Sequence, residues 1–520
     1  MGLRNILGRQ PSVDMSNTAK NHKNTLFSTK NLYFHKGKHY TCAMESKIVA
    51  RKKQIESLER RYSSGNSELI VVSGRRRVGK TYLIDHVFED RFSFKITGAF
   101  QESRRRQISN FIGELRRRGM TIKKSPSDWW GAFECLRGYL ESLPKGSRRL
   151  LFFDELPWLD SQKSGFLNAF EWFWNNYGSS NDDVMLIACG SSSSWLHEKF
   201  FKNKGGLYNR HTEKVVLEPF TLGEAEEYLS SKGVVWSRYD IAELYMVLGG
   251  IPYYLSKIDG SLTLSENVDR LFFAKDAQLN GEFDHLLSSL FQKKEMHLKI
   301  IKAVASKRIG LSHTQIVKET GIPSNGSLSK ALDDLVDSGF LSPWRHKGDG
   351  RSEVLYRLFD PFTAFYFRFL EKHAGRDERF WSNSYALPAR NAWAGLSFES
   401  LCFAHLPQIK SALGISGILS EAYSWSSKGR EGENPGAQID LVIDRKDRVV
   451  NLIEIKFSSD VFAIDKDYDA ALRKKITAFQ GQETSRKSIQ LTFVTTFGLE
   501  MNKYRNTAAR SLKLDDLFAF

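Results

Sequence analysis

The chain has 520 residues, of which 41% are hydrophobic and 26% are charged, and its formal net charge is +16 at pH 7. This length predicts three or four domains, since one domain usually contains about 100–200 residues. No apolar run approaches the roughly 18 residues that a membrane helix needs, so no membrane partner is expected. The four cysteines lie far apart without metal-ligand spacing, which indicates reduced thiols, a cytoplasmic protein and no zinc site.

Basic residues are concentrated at the start of the chain. Residues 1–44 contain seven Lys or Arg and one acid, and they show no hydrophobic period. We therefore predict a basic, disordered tail that lacks the apolar segment of a secretory signal. Because an ordered pattern begins directly after Met44, we hypothesise that translation starts there. The large positive charge of the whole chain favours a polyanionic partner.

Between residues 45 and 220, short apolar strands alternate with helical stretches, which predicts a parallel sheet with crossover helices. The segment "SELIVVSGRRRVGKTYLIDHVF" has P-loop spacing between a strand and an amphipathic helix. Its glycines let backbone N–H groups surround a phosphate, and the helix N-terminus adds positive potential. Lys80 is expected to reach the β and γ phosphates of ATP, and Thr81 to bind Mg²⁺. The predicted nucleotide-binding residues are Gly74, Arg75, Arg76, Arg77, Val78, Gly79, Lys80 and Thr81.

A second strand, "RLLFFDE", ends in the acids that a P-loop ATPase requires. Asp154 is predicted to hold the Mg²⁺ shell, and Glu155 to polarise the attacking water. Ser191 follows the strand "VMLIACGS" and is expected to sense the γ-phosphate or the attacking water, although serines after a strand also serve as ordinary loop residues. Arg210 in "GGLYNRH" is a candidate arginine finger, with a surface arginine as the alternative.

Beyond residue 220 the pattern becomes helical, starting with a capping box formed by Thr221 and Glu224. Residues 297–358 predict three helices followed by two short strands. From about residue 361 the pattern is α/β again, with the helix "LSFESLCFAHL" before the strands "AQIDLVID" and "VVNLIEIKF".

Five segments, "SGRRRVGKT", "FFDELPWL", "GGLYNR", "EPFTLGEAEEYL" and "GGIPYYL", together resemble archaeal-type ATPases of the AAA/STAND class whose C-terminal domain is related to PD-(D/E)XK nucleases. The resemblance extends from about residue 46 to the C-terminus. It implies an α/β multidomain fold in which Pro252 belongs to a GxP turn near the nucleotide base. No lid arginine matches a second AAA sensor. The implied domains are a P-loop ATPase core at 45–220, a helical lid at 221–293, a winged helix at 294–360 and a restriction-endonuclease-like domain at 361–520.

The implied winged helix has polar residues on its recognition helix and cations in its wing that are candidates for DNA contact. These residues are Asn325, Ser327, Ser329, Lys330, Arg345, Lys347 and Arg351. Residues 297–351 carry nine Lys or Arg against five acids, which is a mild positive charge for a protein that reads DNA. A winged helix that packs inside the protein is an equal alternative.

The strand "NLIEIKF" places Glu454 and Lys456 on one face. A hairpin centred near residues 445–447 would pair Asp440 with a position between 452 and 454. Two carboxylates and a lysine would then meet at one edge of a mixed sheet, where Mg²⁺ could activate water for phosphodiester hydrolysis. This is the D-x13-E-x-K form of the nuclease motif, and Glu399 matches a helical acid that often joins the site. The alternatives are solvated charges on an edge strand or a buried structural ion pair.

The sequence thus predicts an ATP-hydrolysing switch coupled to a Mg²⁺-dependent nuclease-like domain, with ATP and Mg²⁺ as cofactors and DNA as the favoured partner. The alternative is a nucleotide-gated regulator that binds DNA or a protein and does not cleave. A homo-oligomer is left open. The candidate catalytic residues are Glu155, Arg210, Asp440, Glu454 and Lys456. The candidate metal ligands are Thr81, Asp154, Glu399, Asp440 and Glu454.

Overall fold

The computed structural model of the chain describes residues 48–519, except residues 162, 192, 203–204, 292–293, 431–433 and 483–486. The predicted basic tail at residues 1–44 and the proposed start at Met44 lie outside the described residues. No helix in the described part is both long and apolar enough to cross a membrane.

The predicted parallel sheet forms the centre of the first part of the fold. Its strands are β1 Glu68–Gly74, β2 Phe92–Thr97, β3 Arg149–Asp154, β4 Val184–Cys189 and β5 Glu213–Leu217. Among the described residues these five strands are all parallel and lie in the order β2-β3-β4-β1-β5. Every residue of β1, β3 and β4 is buried, since helices cover both faces. This burial explains why these strands are continuous apolar runs.

Two hydrophobic clusters lie on the two faces of this sheet. Ile70 and Val72 point into one cluster, and the alternate residues Leu69 and Val71 point into the other. The helices of this core are α1 Lys52–Tyr62, α2 Lys80–Phe88, α3 Arg104–Arg117, α4 Trp129–Ser142, α5 Leu156–Leu159, α6 Phe166–Asn176 and α7 Ser193–Leu196.

A helical segment follows the core, as the sequence pattern predicts. Its helices are α8 Leu222–Ser231, α9 Arg238–Leu248, α10 Pro252–Leu255, α11 Leu264–Val268 and α12 Glu282–Leu290. The predicted capping box is present: the Thr221 side chain accepts a hydrogen bond from the Glu224 N–H, and the Glu224 carboxylate accepts one from the Thr221 N–H. These bonds satisfy N–H groups that helix geometry leaves unpaired, so α8 begins at a fixed residue.

The last part of the described chain contains a second, mixed sheet. The helices in this part of the chain are α13 Lys294–Ala305, α14 His313–Thr320, α15 Gly326–Asp337, α16 Pro361–Phe365, α17 Glu371–His373, α18 Phe380–Asn383, α19 Pro388–Ala404, α20 Leu406–Ala412 and α21 Lys466–Gln482. Its strands are β6 Leu341–Gly348, β7 Arg351–Leu358, β8 Ser420–Arg430, β9 Asn434–Arg445, β10 Val449–Lys456, β11 Ser488–Thr495 and β12 Arg510–Lys513. Among the described residues the strand order is β12-β11-β10-β9-β8-β6-β7.

This strand order changes two expectations from the sequence. The hairpin β6–β7, expected as the wing of a separate domain, joins the C-terminal sheet because β6 pairs with β8 at His346 and Ser424. The second sheet therefore extends across the predicted domain boundary near residue 360, because β6 and β7 precede this boundary and the other strands of the sheet follow it. In addition, β10 lies inside the sheet between β9 and β11. The acid pair was expected at an edge, and a solvated edge strand is no longer an explanation for its charges.

A buried histidine joins the first helix of the lid to the C-terminal part of the fold. The Leu222 N–H donates to Nε2 of His405 at 2.9 Å, and Nδ1 lies 2.9 Å from the Leu401 carbonyl oxygen. Since the carbonyl can only accept and the amide can only donate, the ring is neutral, with its proton on Nδ1. Burial lowers the pKa of His405 to about 4, because the charged form would lose its hydration.

This neutral histidine predicts a loss of stability in acid. Above pH 6.5 the His405 ring is neutral in both the folded and the unfolded chain. Between pH 6.5 and about pH 4 the ring is protonated only in the unfolded chain, so acid stabilises the unfolded chain relative to the folded one. At pH 5 the effect amounts to about 2 kcal/mol of unfolding free energy. We expect urea denaturation of the wild type to record this loss between pH 7.5 and 5, and His405→Gln to lack it.

The exposed histidine at position 285 provides the matched control. His285→Gln is expected to keep the pH dependence of the wild type. The same acid-induced loss in His405→Gln as in the wild type would show that this ring is not its source.

Candidate functional site

The segment from Gly74 to Lys80 connects the end of β1 to the start of α2 through a tight loop. Gly74 has a φ of 145°, and a Cβ atom there would lie 2.3 Å from the Leu217 carbonyl oxygen. Gly79 has a φ of 90°, in the left-handed region. Both glycines are therefore required by backbone geometry, and they allow the loop to bend around a phosphate as a P-loop does.

The lysine and threonine of the P-loop lie beside the acid at the end of β3. Nζ of Lys80 donates to the carbonyl oxygens of Gly74 at 2.8 Å and Arg75 at 3.0 Å. Oγ1 of Thr81 donates to Oδ2 of Asp154 at 2.9 Å. Burial, and then the neighbouring charge of Glu155, raises the pKa of Asp154. The two predicted Mg²⁺ ligands are adjacent, at a position where a cation would stabilise the buried carboxylate.

A cavity of about 550 Å³ opens next to these residues. It is lined by Gly79, Lys80, Thr81 and Glu155 on the P-loop side. The predicted base-proximal residue Pro252 lies in its wall, together with the aromatic rings of Phe220, Tyr228 and Tyr253. This volume is in the usual range for a small-molecule site, and the rings provide an apolar surface for a base.

Two buried donors fit an anionic ligand at the same loop. Nη1 of Arg76 and Nη1 of Arg77 are buried, and neither has a hydrogen-bond partner among the described residues. A buried cationic donor without a partner is costly, and phosphate oxygens are suitable acceptors for it. Together with the glycine geometry, these donors make the residues of the loop fit a nucleoside triphosphate.

Glu155 and Ser191 are in direct contact across the ends of neighbouring strands β3 and β4. Glu155 has a φ of 46°, and its Oε2 accepts hydrogen bonds from Ser191 Oγ at 2.8 Å and from Ser191 N at 3.1 Å. The structure therefore brings together the predicted water-activating acid and the predicted sensor. Arg210 is exposed on the loop before β5 and does not line the cavity of its own chain, and its role as an arginine finger stays a prediction.

The three consecutive arginines of the P-loop point to three different parts of the molecule. Arg75 pairs with Asp360 at the start of α16, at 2.5 Å. Arg76 lies over the ring of Trp158, 5.7 Å from its centroid. Arg77 pairs with Glu282 of the lid at 2.8 Å. The side chains of Arg75 and Arg76 are not part of the cavity wall, and the binding of nucleotide by these two residues stays a prediction.

The pair formed by Arg75 and Asp360 is buried on both sides. Asp360 also accepts hydrogen bonds from the N–H of Thr363 at 3.0 Å and from its hydroxyl, and it caps α16. Burial lowers the pKa of Arg75, but the charge and hydrogen bond of Asp360 outweigh burial and leave the pKa above its usual value. The first arginine of the P-loop thus remains charged at the start of the C-terminal part.

Most residues predicted to contact DNA have partners inside the protein. Lys330 on α15 pairs with Glu198 at 3.3 Å, and Arg345 and Lys347 pair with Glu421 on β8 at 2.6 and 3.0 Å. Asn325 caps α15 through its side-chain oxygen. These contacts neutralise part of the positive charge of this segment, and both DNA contact and packing within the protein stay predictions.

The acid pair of the C-terminal sheet has the predicted register. Leu441 pairs with Ile453 between β9 and β10, which brings Asp440 next to Glu454. Oδ2 of Asp440 accepts from the Ile455 N–H at 3.1 Å. Nζ of Lys456 lies 3.7 Å from Oε2 of Glu454. The predicted cluster therefore forms, and Glu454 within it is only 1% exposed.

Cations of the chain itself occupy this cluster. Nζ of Lys475 donates to both carboxylate oxygens of Glu454, at 2.7 and 2.9 Å. Nη2 of Arg308 lies 2.7 Å from Glu399 and 3.9 Å from Asp440. Burial, and then the charge of Asp440, raises the pKa values of Glu399 and Glu454.

The carboxylates are therefore paired with groups of the chain itself, and their role as metal ligands stays a prediction. Among the described residues, no group of three or more His, Cys, Asp or Glu side chains is placed to hold a metal ion. The predicted ligand set of Glu399, Asp440 and Glu454 instead binds Arg308, Lys475 and a backbone N–H. The physical reason is charge neutralisation: protein cations satisfy the buried carboxylates that a metal would otherwise neutralise.

Sequence reasoning did not identify several residues of this cluster. Lys475 comes from α21 and Arg308 from the loop after α13. Tyr468 donates to Glu454 at 3.1 Å. The half-buried Arg357 also faces the acids, and the loss of hydration lowers its pKa to about 10 although Glu399 and Asp440 oppose this shift. None of the four has a local motif, so only the tertiary fold reveals them.

Comparison with known proteins assigns the first part of the chain. Residues 48–258 match the family described as "ATPase domain predominantly from Archaea". An uncharacterised protein of Methanocaldococcus jannaschii is 24% identical over 415 residues, which cover 79% of this chain and 87% of that protein. An uncharacterised ATP-binding protein of the same organism is 46% identical over 44 residues, covering 8% of this chain and 75% of that protein. Residues 48–258 are therefore an ATPase domain of the archaeal type.

Two solved structures are similar to part of the chain. The Walker-type ATPase of Pyrococcus abyssi is 20% identical with a TM-score of 0.43, over 62% of this chain and 97% of that one. The ORC2 protein of Aeropyrum pernix is 14% identical with a TM-score of 0.38, over 71% of this chain and 98% of that one. Both scores are below 0.5, so the assignment of the domain depends on the family match.

Proposed function

We propose that the chain is an ATP-binding and ATP-hydrolysing switch that is coupled to its C-terminal part and acts on DNA. One observation carries the ATPase assignment: Thr81 bonds to Asp154 at 2.9 Å, and Glu155 next to it bonds to Ser191, all beside the P-loop cavity. The three functions that ATP hydrolysis needs, namely phosphate binding, metal binding and water activation, therefore have candidate residues within one site.

The role of each residue follows from its contacts. Lys80, which donates to carbonyl oxygens of the loop, would move its donors to the β and γ phosphates. Thr81 and Asp154 would hold Mg²⁺, which neutralises phosphate charge when bound. The Glu155 carboxylate would first separate from Ser191 and would then orient the attacking water. Because Ser191 binds the carboxylate through both hydroxyl and N–H, it would keep Glu155 inactive until the γ-phosphate competes for it.

The coupling follows from the arginines of the P-loop. A triphosphate that bends or tightens the loop would pull on Arg75 and Arg77, and therefore on Asp360 of α16 and Glu282 of α12. These two pairs give nucleotide state a direct mechanical connection to the lid and to the C-terminal part. An arginine finger at position 210 would require a second copy of the chain, because this exposed residue does not line its own cavity.

The ATPase assignment predicts two different defects. Lys80→Ala removes the phosphate-binding cation, so nucleotide affinity and turnover should both fall. Glu155→Gln retains binding but removes the water-activating carboxylate, so kcat should fall by about 100-fold or more. Fluorescent-nucleotide binding and phosphate release measure the two quantities. Lys372→Ala and Glu500→Gln change the same residue types at exposed positions and should leave both unchanged. Turnover at the wild-type rate in either site variant would remove the assignment.

A second candidate function, a nucleotide-gated regulator that binds DNA or a protein without cleaving it, is favoured by the occupied acid cluster. Arg308 and Lys475 take up oxygens of Glu399 and Glu454. The nuclease proposal, with Asp440, Glu454 and Lys456 as its reactive set, therefore requires these cations to move away first. The regulator requires no such movement.

A nicking assay on supercoiled DNA separates the two candidates. The regulator predicts no nicking by the wild type or by Arg308→Ala at any Mg²⁺ concentration, with or without ATP, because Lys475 still occupies Glu454. The nuclease predicts Mg²⁺-dependent nicking that Asp440→Asn and Lys456→Ala abolish and that Arg308→Ala increases. Arg376→Ala, at an exposed arginine elsewhere, is the control for charge removal.

A further inference from the structure

A basic surface on α3 takes no part in the ATP site or the acid cluster. Residues 104–124, which comprise α3 and the loop after it, contain eight Lys or Arg and one acid, a net charge of +7. Arginine triplets stand at the two ends of the helix, at 104–106 and 116–118, and two lysines follow at 123–124. The pattern "RRRQISNFIGELRRRGMTIKK" is visible in the sequence.

Five of these cations have no partner. The side chains of 104–106 and 123–124 are exposed and make no hydrogen bond or ion pair with any described residue. The one acid, Glu114, is shared by Arg117 at 2.7 Å and Arg118 at 3.0 Å. Arg116 donates to the Ile122 carbonyl at 3.1 Å, which holds the lysine-bearing loop beside the end of α3. Unpaired cations thus remain at both ends of the surface.

Helix stability does not explain the cations at the start of α3. Three arginines occupy its first turn and no acid does, although the helix dipole favours negative charge there and opposes positive charge. The residues of α3 that face the core are apolar, namely Ile108, Phe111, Ile112 and Leu115. The helix would therefore pack equally well without the three arginines of its first turn. Positive charge at the N-terminus of a helix is unfavourable, and no contact within the described fold offsets it here. Such an uncompensated charge cluster indicates a binding role.

The surface is also rigidly attached next to the catalytic acid. The buried Gln107 side chain of α3 donates to the carbonyl oxygens of Ala99 at 2.6 Å and Trp158 at 3.0 Å. The short helix that carries Trp158 begins directly after Glu155, and the Trp158 N–H donates to the Glu155 carbonyl oxygen at 2.9 Å. The cations therefore stand on a fixed platform in contact with the turn that holds the hydrolytic residue.

We infer that the outer face of α3 binds the backbone of double-stranded DNA without reading its sequence. The centres of the two triplets are separated by about 18 Å along a helix of about 21 Å, at 1.5 Å per residue. A major groove about 12 Å wide separates two phosphate strands, so each end of α3 can reach a different strand. This inference deepens the proposed action on DNA and rests on it, and it replaces α15 as the main DNA contact.

Binding of a labelled 20-base-pair duplex, measured by fluorescence anisotropy between 50 and 200 mM salt, tests the inference. It needs no ATP hydrolysis, so it remains informative even if the ATPase assignment fails. In R104A/R105A/R106A we expect at least ten-fold weaker binding at 100 mM salt, and a slope of log K against log salt that is smaller by about 3. The charge-preserving variant R104K/R105K/R106K should bind within about three-fold of the wild type.

The matched control is K372A/R376A/R379A, which removes three exposed cations from residues 371–379, a segment with as many acids as Lys or Arg. It should keep the affinity and the salt slope of the wild type. Equal loss in the control, or unchanged binding in R104A/R105A/R106A with a wild-type melting temperature, would overturn the inference. Absence of duplex binding by the wild type, or a preference for a single strand of equal length, would overturn it as well.

Discussion

The buried ion pair between Arg75 and Asp360 is the constraint on which the rest of the arrangement depends. One partner belongs to the phosphate-binding loop and the other caps the first helix of the C-terminal part. An uncompensated charge at such a site costs about 3–5 kcal/mol, so neither partner can leave without a replacement. The position of the P-loop and the position of α16 are therefore fixed to each other, although 285 residues separate the two side chains.

The other contacts of the P-loop extend this constraint. Arg77 reaches Glu282 of the lid, and the cavity wall is completed by lid residues such as Pro252 and Tyr253. The neutral His405 ring joins the start of α8 to the Leu401 carbonyl on α19. ATP would therefore bind at a point where core, lid and C-terminal part all meet. This geometry provides a reason for a P-loop with three consecutive arginines.

The sequence was sufficient where function depends on local geometry. The P-loop could be predicted because the positive φ angles of its backbone require glycine at two fixed positions within eight residues. Asp440 and Glu454 could be predicted as neighbours because a hairpin connects their strands, and the position of its turn determines which residues pair. The capping box at Thr221 is equally local.

Long-range pairing could not be derived in the same way. Nothing in the sequence near Arg308 or Lys475 indicates that they neutralise the acids, since each lies on a different element from its partner, 91 residues from Glu399 and 21 residues from Glu454 respectively. The pairing of β6 with β8 is a parallel contact across the predicted domain boundary, and hydrophobic period does not encode such contacts. The cations of α3 were visible as two arginine triplets, but only the fold distinguishes the exposed, unpaired ones from those bound to Glu114.

Hydrogen–deuterium exchange of residues 360–370 measures whether the nucleotide state reaches α16 through the Arg75–Asp360 pair, with ADP and a non-hydrolysable ATP analogue compared in the wild type and in Asp360→Asn. This substitution keeps a side chain able to cap α16 and removes the charge that binds Arg75. If the Arg75–Asp360 pair transmits the nucleotide state, exchange in this segment differs between the two nucleotides in the wild type, and the difference disappears in Asp360→Asn. A difference of the same size in both proteins, or one confined to residues 74–81 in the wild type, would contradict this role of the pair.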